Sequence, residues 1–392
     1  MRVVFLCGAL DELTRHARNI TAANPAATLK VLNFCRALRR AGHRAEVLSL
    51  GRGRQDGSGA SHAACARHTA GVPVVYARFV HNRLTHLISA ISTAALLWRL
   101  RRRGFARQKP ALIAYNRLWH YVPALLLARL LGIRCFLDLE DGHATLGRSW
   151  LRRGTDRFNQ WLFDHLCSSG VLLANTALGA QTTIRHRTIW YGILPELPVR
   201  ADWARVPLGV ILGGTLHEER GCRLFIDAVR GLIHTCPQLR NQLQFYVTGH
   251  GPMQAELAAF AGETRGWVTF AGLAGRALYL EILARCQVGL MLNLSTHEMS
   301  RTTFPSKVLE YAAAGLLVIS TPVSDIAAFF HDDAALLLAE ETPDALAQSL
   351  TAIVADRNMA AAIAARGRQR ALDCCDEAVL APRLAGFLMG ND

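Results

Sequence analysis

The sequence predicts an α/β protein of two domains, each built on a parallel β-sheet. At 392 residues the chain is longer than a single hydrophobic core usually serves. Apolar residues make up 51% of it and charged residues only 19%, which is enough apolar material for two buried sheets. Short apolar runs alternate with helical patterns through both halves, as expected for parallel strands connected by helices.

The first half opens with a strand at Arg2–Cys7. Gly42 and Gly132 end the two helices that we expect in this half, because glycine readily adopts the left-handed conformation that closes a helix. The expected elements are the helices Thr28–Ala41 and His120–Leu131, the strands Ala45–Leu50, Val72–Tyr76, Ala111–Tyr115, Cys135–Leu139 and Val171–Asn175, and a glycine-rich and serine-rich loop at Gly51–Ala60.

A connection rich in proline runs from Leu194 to Pro207 and marks the predicted domain boundary, because proline does not continue helices or inner strands. We predict an N-terminal domain at 1–198, a C-terminal domain at 199–372, and a helical segment at 373–392 that packs back on the N-terminal domain.

The second half repeats the alternation of strand and helix. No internal repeat of 20 to 50 residues is present, which argues against a solenoid. The expected elements are the strands Leu208–Leu212, Gln244–Thr248, Val268–Ala271, Val288–Leu292 and Leu317–Ser320, the helix Cys222–His234, and glycine-rich turns at 213–214 and 249–252.

The formal net charge of +14 favours anionic partners: nucleotide diphosphates, lipid phosphates or an acidic membrane face. The basic residues are almost all arginine, with lysine only at Lys30, Lys109 and Lys307. This indicates a compositional bias rather than a nucleic-acid surface. Zinc-finger spacing, aromatic RNA-binding signatures and a helix-turn-helix pattern are missing, so we expect no nucleic-acid partner.

The ten cysteines follow no metal-binding or redox spacing and are typical of buried apolar positions in a reducing compartment. The chain begins with a strand rather than a signal peptide, and no stretch approaches the roughly 20 apolar residues of a membrane span. We therefore expect a cytoplasmic protein.

The strongest local motif is Phe304-Pro305-Ser306-Lys307, which precedes a helix that ends at Gly315. Free amides at a helix start form an anion site, to which Ser306 adds a hydroxyl and Lys307 a charge. Glu310 lies on the same helix face, where its carboxylate can accept hydrogen bonds from ribose hydroxyls. An ordinary capped helix with a solvated Lys-Glu pair is the alternative interpretation.

This motif resembles the donor-site helix of retaining GT-B glycosyltransferases of family 4. Other segments are similar to that family in order and spacing: Gly213-Gly214-Thr215-Leu216-His217-Glu218-Glu219-Arg220-Gly221, Val247-Thr248-Gly249-His250-Gly251-Pro252 and Arg39-Arg40-Ala41-Gly42-His43-Arg44-Ala45-Glu46-Val47. The resemblance implies the GT-B architecture, in which two Rossmann-like domains face each other across a cleft. It also implies a nucleotide-diphosphate sugar as donor substrate, with neither a cofactor nor a metal.

Carried over by position, the resemblance implies that Arg220 and Lys307 hold the diphosphate and that Glu310 binds the ribose. It further implies that the donor site includes Gly214, Thr215, Gly249, Gly251 and Ser306. The chain departs from the family pattern at Thr302, where the family has the first glutamate of its E-x7-E motif, and at Thr215, which is usually basic.

On the acceptor side, Asp138-Leu139-Glu140-Asp141-Gly142-His143 follows a predicted strand. Carboxylates and a histidine at the carboxyl end of a strand can orient an acceptor hydroxyl or accept its proton, and we assign this role chiefly to Asp141 and His143. These acids can instead cap the next helix or pair with Arg148 and Arg152. No second cluster completes a metal site.

The segment Trp98–Lys109 interleaves basic residues with Trp98, Leu100 and Phe105. Such a pattern suits an anionic membrane surface, where a lipid-linked acceptor is found, and places the protein at the inner face of the cytoplasmic membrane. A core-packing helix that ends in a solvated basic turn explains the pattern equally well.

The predicted activity is transfer of a sugar to a hydroxyl of a saccharide or lipid-linked saccharide, in the synthesis of a surface polysaccharide or glycolipid. Two alternatives use the same architecture: a sugar-nucleotide epimerase, and a degenerate, non-catalytic protein that binds a partner or membrane. A nicotinamide dehydrogenase is disfavoured, because Gly8-Ala9-Leu10-Asp11 follows the first strand in place of a G-x-G-x-x-G motif.

Overall fold

A computed structural model describes residues 1–22, 25–52, 54–55, 60–80, 84–102, 110–142, 150–331 and 333–390. It divides into two α/β units, one of residues 1–193 with 377–392 and the other of residues 194–376. The predicted α/β class with two domains is confirmed. The divisions after Ile193 and Asp376 lie a few residues from the predicted boundaries at 198 and 372.

The first unit contains an eight-stranded sheet in the order β10-β9-β8-β7-β1-β3-β6-β5. Its strands are parallel except β5, which is antiparallel to β6, and a separate antiparallel pair joins β2 to β4. The strands are β1 (Arg2–Cys7), β2 (Ile20–Ala22), β3 (Arg44–Ser49), β4 (Arg54–Gln55), β5 (Cys65–Thr69), β6 (Val72–Tyr76), β7 (Ala111–Tyr115), β8 (Arg134–Leu139), β9 (Gly170–Leu173) and β10 (Arg187–Ile189).

The central strands of this sheet are buried, as their nearly continuous apolar sequences predict for a parallel sheet covered on both faces. The connecting helices in this unit are α1 (Glu12–Ala17), α2 (Pro25–Arg40), α3 (Thr85–Arg102), α4 (Val122–Leu130) and α5 (Trp150–Leu166). Within the basic segment Trp98–Lys109, α3 ends at Arg102, and residues 103–109 lie outside the described residues.

The second unit contains a six-stranded parallel sheet in the order β13-β12-β11-β14-β15-β16. Its strands are β11 (Leu208–Thr215), β12 (Leu243–His250), β13 (Val268–Gly272), β14 (Cys286–Met291), β15 (Leu317–Ser320) and β16 (Leu336–Leu337). Its helices are α6 (Cys222–Thr235), α7 (Gln254–Glu263), α8 (Arg276–Leu283), α9 (Glu298–Thr302), α10 (Lys307–Ala314), α11 (Ile326–Phe330), α12 (Pro343–Ala355) and α13 (Arg357–Cys375).

The last helix, α14 (Glu377–Met389), belongs to the first unit. There its Glu377 lies 3.0 Å from the Arg40 guanidinium of α2, and the Phe387 ring stacks on His186 with 4.2 Å between ring centroids. The carboxyl-terminal residues thus complete the core of the unit in which the chain begins.

Two predicted strands end later than expected. Strand β11 continues to Thr215 and β12 to His250, with Gly214 paired to Gly249, where we expected glycine-rich turns. Glycine permits this extension because the two backbones approach closely there: a Cβ on Gly249 would lie 1.8 Å from the Gly214 carbonyl oxygen.

Helix α4 begins two residues later than expected. A short 3-10 helix occupies Trp119–Tyr121, and α4 starts at Val122, with proline in its first turn. Proline suits that position because its missing amide is one that the helix leaves unpaired in any case. Trp119 and His120 therefore lie in this short 3-10 helix after β7 rather than in α4.

Candidate functional site

The carboxyl edge of the second sheet carries the residues that the sequence analysis assigned to the donor. Tyr311 of α10 fixes the helix against this sheet. A Cβ on Gly213 would lie 3.0 Å from the Tyr311 hydroxyl, and one on Gly289 would lie 2.3 Å from its ring. Glycines in β11 and β14 thus make room for Tyr311, and they set the start of α10 beside the ends of these strands.

Helix α10 begins at Lys307, with Ser306 as its N-terminal cap residue. The Ser306 hydroxyl is exposed and makes no capping hydrogen bond. The amides of Val308 and Leu309 already donate to the carbonyl groups of Pro305 and Ser306, at 3.1 and 3.2 Å. The amides offered to an anion are therefore those of Ser306 and Lys307, fewer than the sequence pattern suggested.

Lys307 and Glu310 lie side by side, as their helical spacing predicted. The Lys307 Nζ donates to Glu310 Oε2 at 2.6 Å and to the Tyr279 hydroxyl at 3.0 Å, and it lies 4.2 Å from the centre of the Tyr279 ring. Both charged side chains are partly exposed. A cation and a carboxylate are thus held, partly open to solvent, at one helix start.

Tyr279, in α8, is a site residue that the sequence analysis missed. Burial raises the pKa of its hydroxyl, with further contributions from Tyr311 and Glu310, so the hydroxyl stays protonated. It accepts a hydrogen bond from Lys307 and supports the ammonium group with its ring face. No local pattern connects Tyr279 to Lys307, because the two are 28 residues apart in sequence.

The first loop of the second unit carries Arg220 at the end of a short 3-10 helix, Glu218–Arg220. Its side chain is half-buried and forms no ion pair within the part of the chain that the structure describes. Gly221 follows with a positive φ of 75°, and a Cβ there would lie 2.2 Å from the Leu292 carbonyl oxygen. Glycine is therefore required to bring this loop against the end of β14.

Several polar groups near this edge are buried without hydrogen-bond partners among the described residues. They include both side-chain polar atoms of Asn293, which follows β14, and the hydroxyl of Thr302. Thr302 occupies the position of the missing motif glutamate, and it is 9% exposed. Thr215, in contrast, is exposed at the end of β11, where Gly214 precedes it. It pairs with His250 at the end of β12, and Gly251 follows His250.

In the first unit the structure separates the three acids near the end of β8: Asp138 lies within the strand, and Glu140 and Asp141 follow it. Asp138 is fully buried and accepts a hydrogen bond of 3.0 Å from the Trp190 indole. Burial raises the pKa of Asp138 well above its ordinary value, and Glu140 raises it further. Glu140 itself pairs with Lys30. These two carboxyl groups are therefore engaged inside the unit.

Asp141 is the exposed member of the three acids. Asn116 positions Asp141. The Asn116 Nδ2 donates to Asp141 Oδ2 at 3.1 Å, and the Asn116 Oδ1 accepts from the Glu140 amide at 2.8 Å. His143 lies outside the described residues, as does Arg148. The assignment of an acceptor role to Asp141 and His143 thus remains a prediction.

The described residues contain no group of three or more His, Cys, Asp or Glu side chains arranged to hold a metal ion. None of the described helices is long and apolar enough to cross a membrane.

Two family models match the chain. Residues 207–356 match the model described as glycosyl transferases group 1, and residues 27–187 match the glycosyl transferase 4-like domain. No curated protein sequence matches the chain at a significant level.

Solved structures share the fold over the whole chain. HepE from Anabaena, solved with UDP and glucose, is 14% identical and has a TM-score of 0.68, with 100% of each chain covered. Sucrose-phosphate synthase from Thermosynechococcus elongatus is 13% identical, with a TM-score of 0.65 and 100% of this chain and 99% of that chain covered. The pneumococcal O-GlcNAc transferase GtfA, solved with UDP and GlcNAc, is 10% identical, with a TM-score of 0.63 and 99% of each chain covered.

At these identities the likeness to solved structures establishes the fold alone. The family is established by the two model matches, which together span well over half of the chain and cover both of its units. The chain belongs to the group 1 glycosyltransferases and has the GT-B fold, which confirms the family and the architecture that the sequence resembles.

Proposed function

We propose that this glycosyltransferase takes its sugar from a nucleoside-diphosphate sugar bound at the start of α10. The observation that carries the proposal is the arrangement of Lys307, Glu310 and Tyr279 around one helix start, with the Lys307 Nζ 2.6 Å from Glu310 Oε2. In this proposal the ammonium group binds the diphosphate and the carboxylate accepts hydrogen bonds from ribose hydroxyls. HepE and GtfA, both solved with UDP, support a uridine nucleotide as the first candidate.

In the proposed reaction the bond between the sugar and the diphosphate breaks, and negative charge develops on the leaving group. Lys307, the amides at the start of α10 and Arg220 stabilise that charge, which is the main electrostatic task in such a transfer. The Thr302 hydroxyl stands where a motif glutamate is expected, so contacts to the donor sugar there are neutral. Retention of the anomeric configuration is proposed from the family resemblance.

We place the acceptor at the carboxyl edge of the first unit's sheet, near Asp141. Of the three acids near the end of β8, Asp141 is the one exposed to solvent, and Asn116 holds it in place. An exposed carboxylate at this edge can orient the hydroxyl of a saccharide or lipid-linked saccharide. The proposed role in the cell is the synthesis of a surface polysaccharide or glycolipid.

We further propose peripheral contact with an anionic membrane on the cytoplasmic side, through helix α5. Trp150, Phe158 and Trp161 of this helix are 73%, 51% and 54% exposed. Phe158 lies between Trp161 and Trp119, with ring centroids 5.8 and 5.9 Å apart. Three exposed arginines share the helix: Arg152, Arg153 and Arg157. Aromatic rings interleaved with arginines are typical of a helix that lies in a membrane interface.

The proposed chemistry uses neither a metal nor a cofactor, since cationic side chains take the role that a divalent ion has in other sugar transferases. Transfer should therefore continue in excess EDTA. Loss of activity in EDTA that Mg²⁺ or Mn²⁺ restores would contradict this part of the proposal.

The decisive experiment measures donor consumption with and without an acceptor. Purified protein is incubated with UDP-sugars and a panel of saccharide and lipid-linked acceptors, and UDP release is followed. We expect release that depends on the acceptor and that falls at least 100-fold in kcat/KM in Lys307→Ala. Conversion of the donor without any acceptor would instead identify an epimerase, and no consumption at all would favour the non-catalytic alternative.

A further inference from the structure

A cluster of one arginine and two histidine side chains lies in the first unit, apart from the residues assigned to the donor. It consists of Arg52, which follows β3, His86 at the start of α3, and His120 in the 3-10 helix after β7. The Arg52 Nη1 lies 2.9 Å from His86 Nδ1 and 2.6 Å from His120 Nε2, and these two ring nitrogens are 2.5 Å apart. Each of these three nitrogen atoms thus lies within hydrogen-bond distance of the other two.

These three contacts are not compatible with one another as hydrogen bonds. The Arg52 nitrogen only donates, so it bonds both rings only when both ring nitrogens present lone pairs. The two lone pairs then face each other at 2.5 Å with no proton between them. If a proton does lie between the rings, one ring presents its N–H to the arginine. One of the three contacts is unfavourable in every arrangement of protons.

An oxyanion that enters the cluster as the two rings move apart removes the conflict, because its oxygens accept a hydrogen bond from each of the three nitrogens. Among the described residues no carboxylate forms an ion pair with Arg52, so no side chain in that part of the chain supplies this anion. Burial and the Arg52 charge lower the pKa of His120 to about 4. A bound anion would oppose the effect of the Arg52 charge and raise this pKa.

The position of the cluster in the sheet supports a ligand. Strands β3 and β7 pair with β1 on its two sides, and the order of connection reverses between β1 and β7. Open α/β sheets bind ligands at the carboxyl ends of strands where such a reversal occurs. Arg52 follows one of these strands and His120 follows the other, so the cluster spans the reversal point.

We propose that Arg52, His86 and His120 form a binding site for a phosphate monoester or diphosphate ester. This site lies in the unit to which we assign the acceptor, so its ligand is the phosphate of a phosphorylated acceptor. That last assignment rests on the proposed glycosyl transfer, whereas the phosphate site itself does not. A phosphate bound there would orient the acceptor, because it fixes a charged group of the acceptor that is separate from the hydroxyl that reacts.

The test is calorimetric titration of the full chain with phenyl phosphate, with and without saturating UDP. UDP separates this site from the donor site at Lys307. We expect phenyl phosphate to bind in both conditions and Arg52→Gln to weaken that binding at least tenfold. The matched control is Arg78→Gln, which removes an exposed arginine of the same unit and should bind as the unchanged protein does.

His86→Asn provides a second variant, since His86 is exposed and its replacement should leave the fold intact. We expect a several-fold loss of phenyl phosphate affinity in this variant. In NMR spectra of the unchanged protein, we expect addition of phenyl phosphate to shift the ring signals of His86 and His120. Equal affinities in Arg52→Gln, His86→Asn and Arg78→Gln, or no binding by the unchanged protein, would overturn the proposal.

Two further titrations distinguish the source of the phosphate. Farnesyl phosphate represents a lipid phosphate, and glucose 1-phosphate represents a soluble sugar phosphate. The affinity for both compounds should fall in Arg52→Gln, and the compound that the unchanged protein binds more tightly identifies the acceptor class. A failure of the glycosyl transfer proposal would appear differently, as phosphate binding that depends on Arg52 without any acceptor-dependent release of UDP.

Discussion

At the residue scale, the two sheet edges differ in how far their charged side chains are exposed to solvent. In the second unit, Lys307 and Glu310 remain partly open to solvent and face each other across 2.6 Å. In the first unit, Asp138 is enclosed and Glu140 pairs with Lys30, which leaves Asp141 exposed. Groups that are open to solvent can bind a ligand, whereas the enclosed ones stabilise or strain the fold.

Gly249 should not tolerate a side chain. Its φ is +135°, and a Cβ would lie 1.8 Å from the Gly214 carbonyl oxygen, so Gly249→Ala combines a strained backbone with a steric overlap. We expect a loss of about 2–5 kcal/mol in the free energy of unfolding, measured by urea denaturation. Gly262→Ala is the control: this glycine lies in α7 with no atom near its Cβ position, and alanine there should be neutral or stabilising by up to about 1 kcal/mol.

Asp138 should make stability depend on pH. Burial raises the pKa of Asp138 in the folded chain above its unfolded value of about 3.9. Between these two values the folded state keeps a proton that the unfolded state has lost, so the contribution of Asp138 to stability declines as the pH rises. Asp138→Asn removes this decline and keeps an acceptor for the Trp190 indole.

We therefore expect the free energy of unfolding of Asp138→Asn, relative to the unchanged protein, to increase between pH 5 and pH 8. Asp373→Asn, at an exposed position of α13, is the control and should run parallel to the unchanged protein. A constant difference between Asp138→Asn and the unchanged protein over this range would show that Asp138 is charged in the folded state.

At the element scale, the sequence predicted most strands to within a few residues, because the parallel strands are buried apolar runs. Its boundary errors fall where glycine or proline decides the boundary, and it did not predict the short strands β2, β4, β5, β10 and β16. Strands β11 and β12 extend through residues that were expected to turn, and α4 starts after a 3-10 helix. The pairing of Lys307 with Glu310 could be predicted because helical spacing places them together. The contacts of Tyr279 and the Arg52 cluster depend on tertiary structure and have no local signature.

Helix α5 should direct binding to anionic vesicles. We expect the protein to sediment with vesicles of phosphatidylcholine and phosphatidylglycerol, less so at high salt, and Trp161→Ser combined with Phe158→Ser to reduce the bound fraction several-fold. Leu273→Ser, at a position 75% exposed in the second unit, is the control for general loss of surface hydrophobicity. Equal binding by both variants would assign membrane contact, if any occurs, to another surface.

At the scale of the whole molecule, alternation of strand and helix predicted two α/β domains, and the proline-rich connection indicated where the first ends. In the structure the chain returns to its first unit after Asp376, where we expected a segment at 373–392 to pack back on the N-terminal domain. Composition also indicated buried cysteines, and all ten are free thiols in the structure, seven of them buried.

These thiols should react in two classes. Burial raises the pKa of Cys7, Cys135 and Cys222 to about 12, so almost no thiolate forms there at pH 8. We expect iodoacetamide at pH 8 to label only the half-buried residues in the native protein, with the remainder reacting after unfolding in urea. Peptide mapping by mass spectrometry identifies the labelled positions, which should be Cys65, Cys236 and Cys374. Rapid labelling of Cys7 in the native protein would contradict the enclosed core of the first unit.

The central claim is that the start of α10 binds the nucleoside diphosphate of the donor. The most direct test is calorimetric titration of the purified protein with UDP, GDP, ADP and dTDP, alongside Lys307→Ala, Glu310→Ala and the control Arg223→Ala, which removes an exposed cation of the same unit. The account predicts that one nucleotide binds selectively, and that Lys307→Ala and Glu310→Ala each weaken it at least tenfold while Arg223→Ala does not. Absence of binding by folded protein, or equal binding by all three variants, would contradict it.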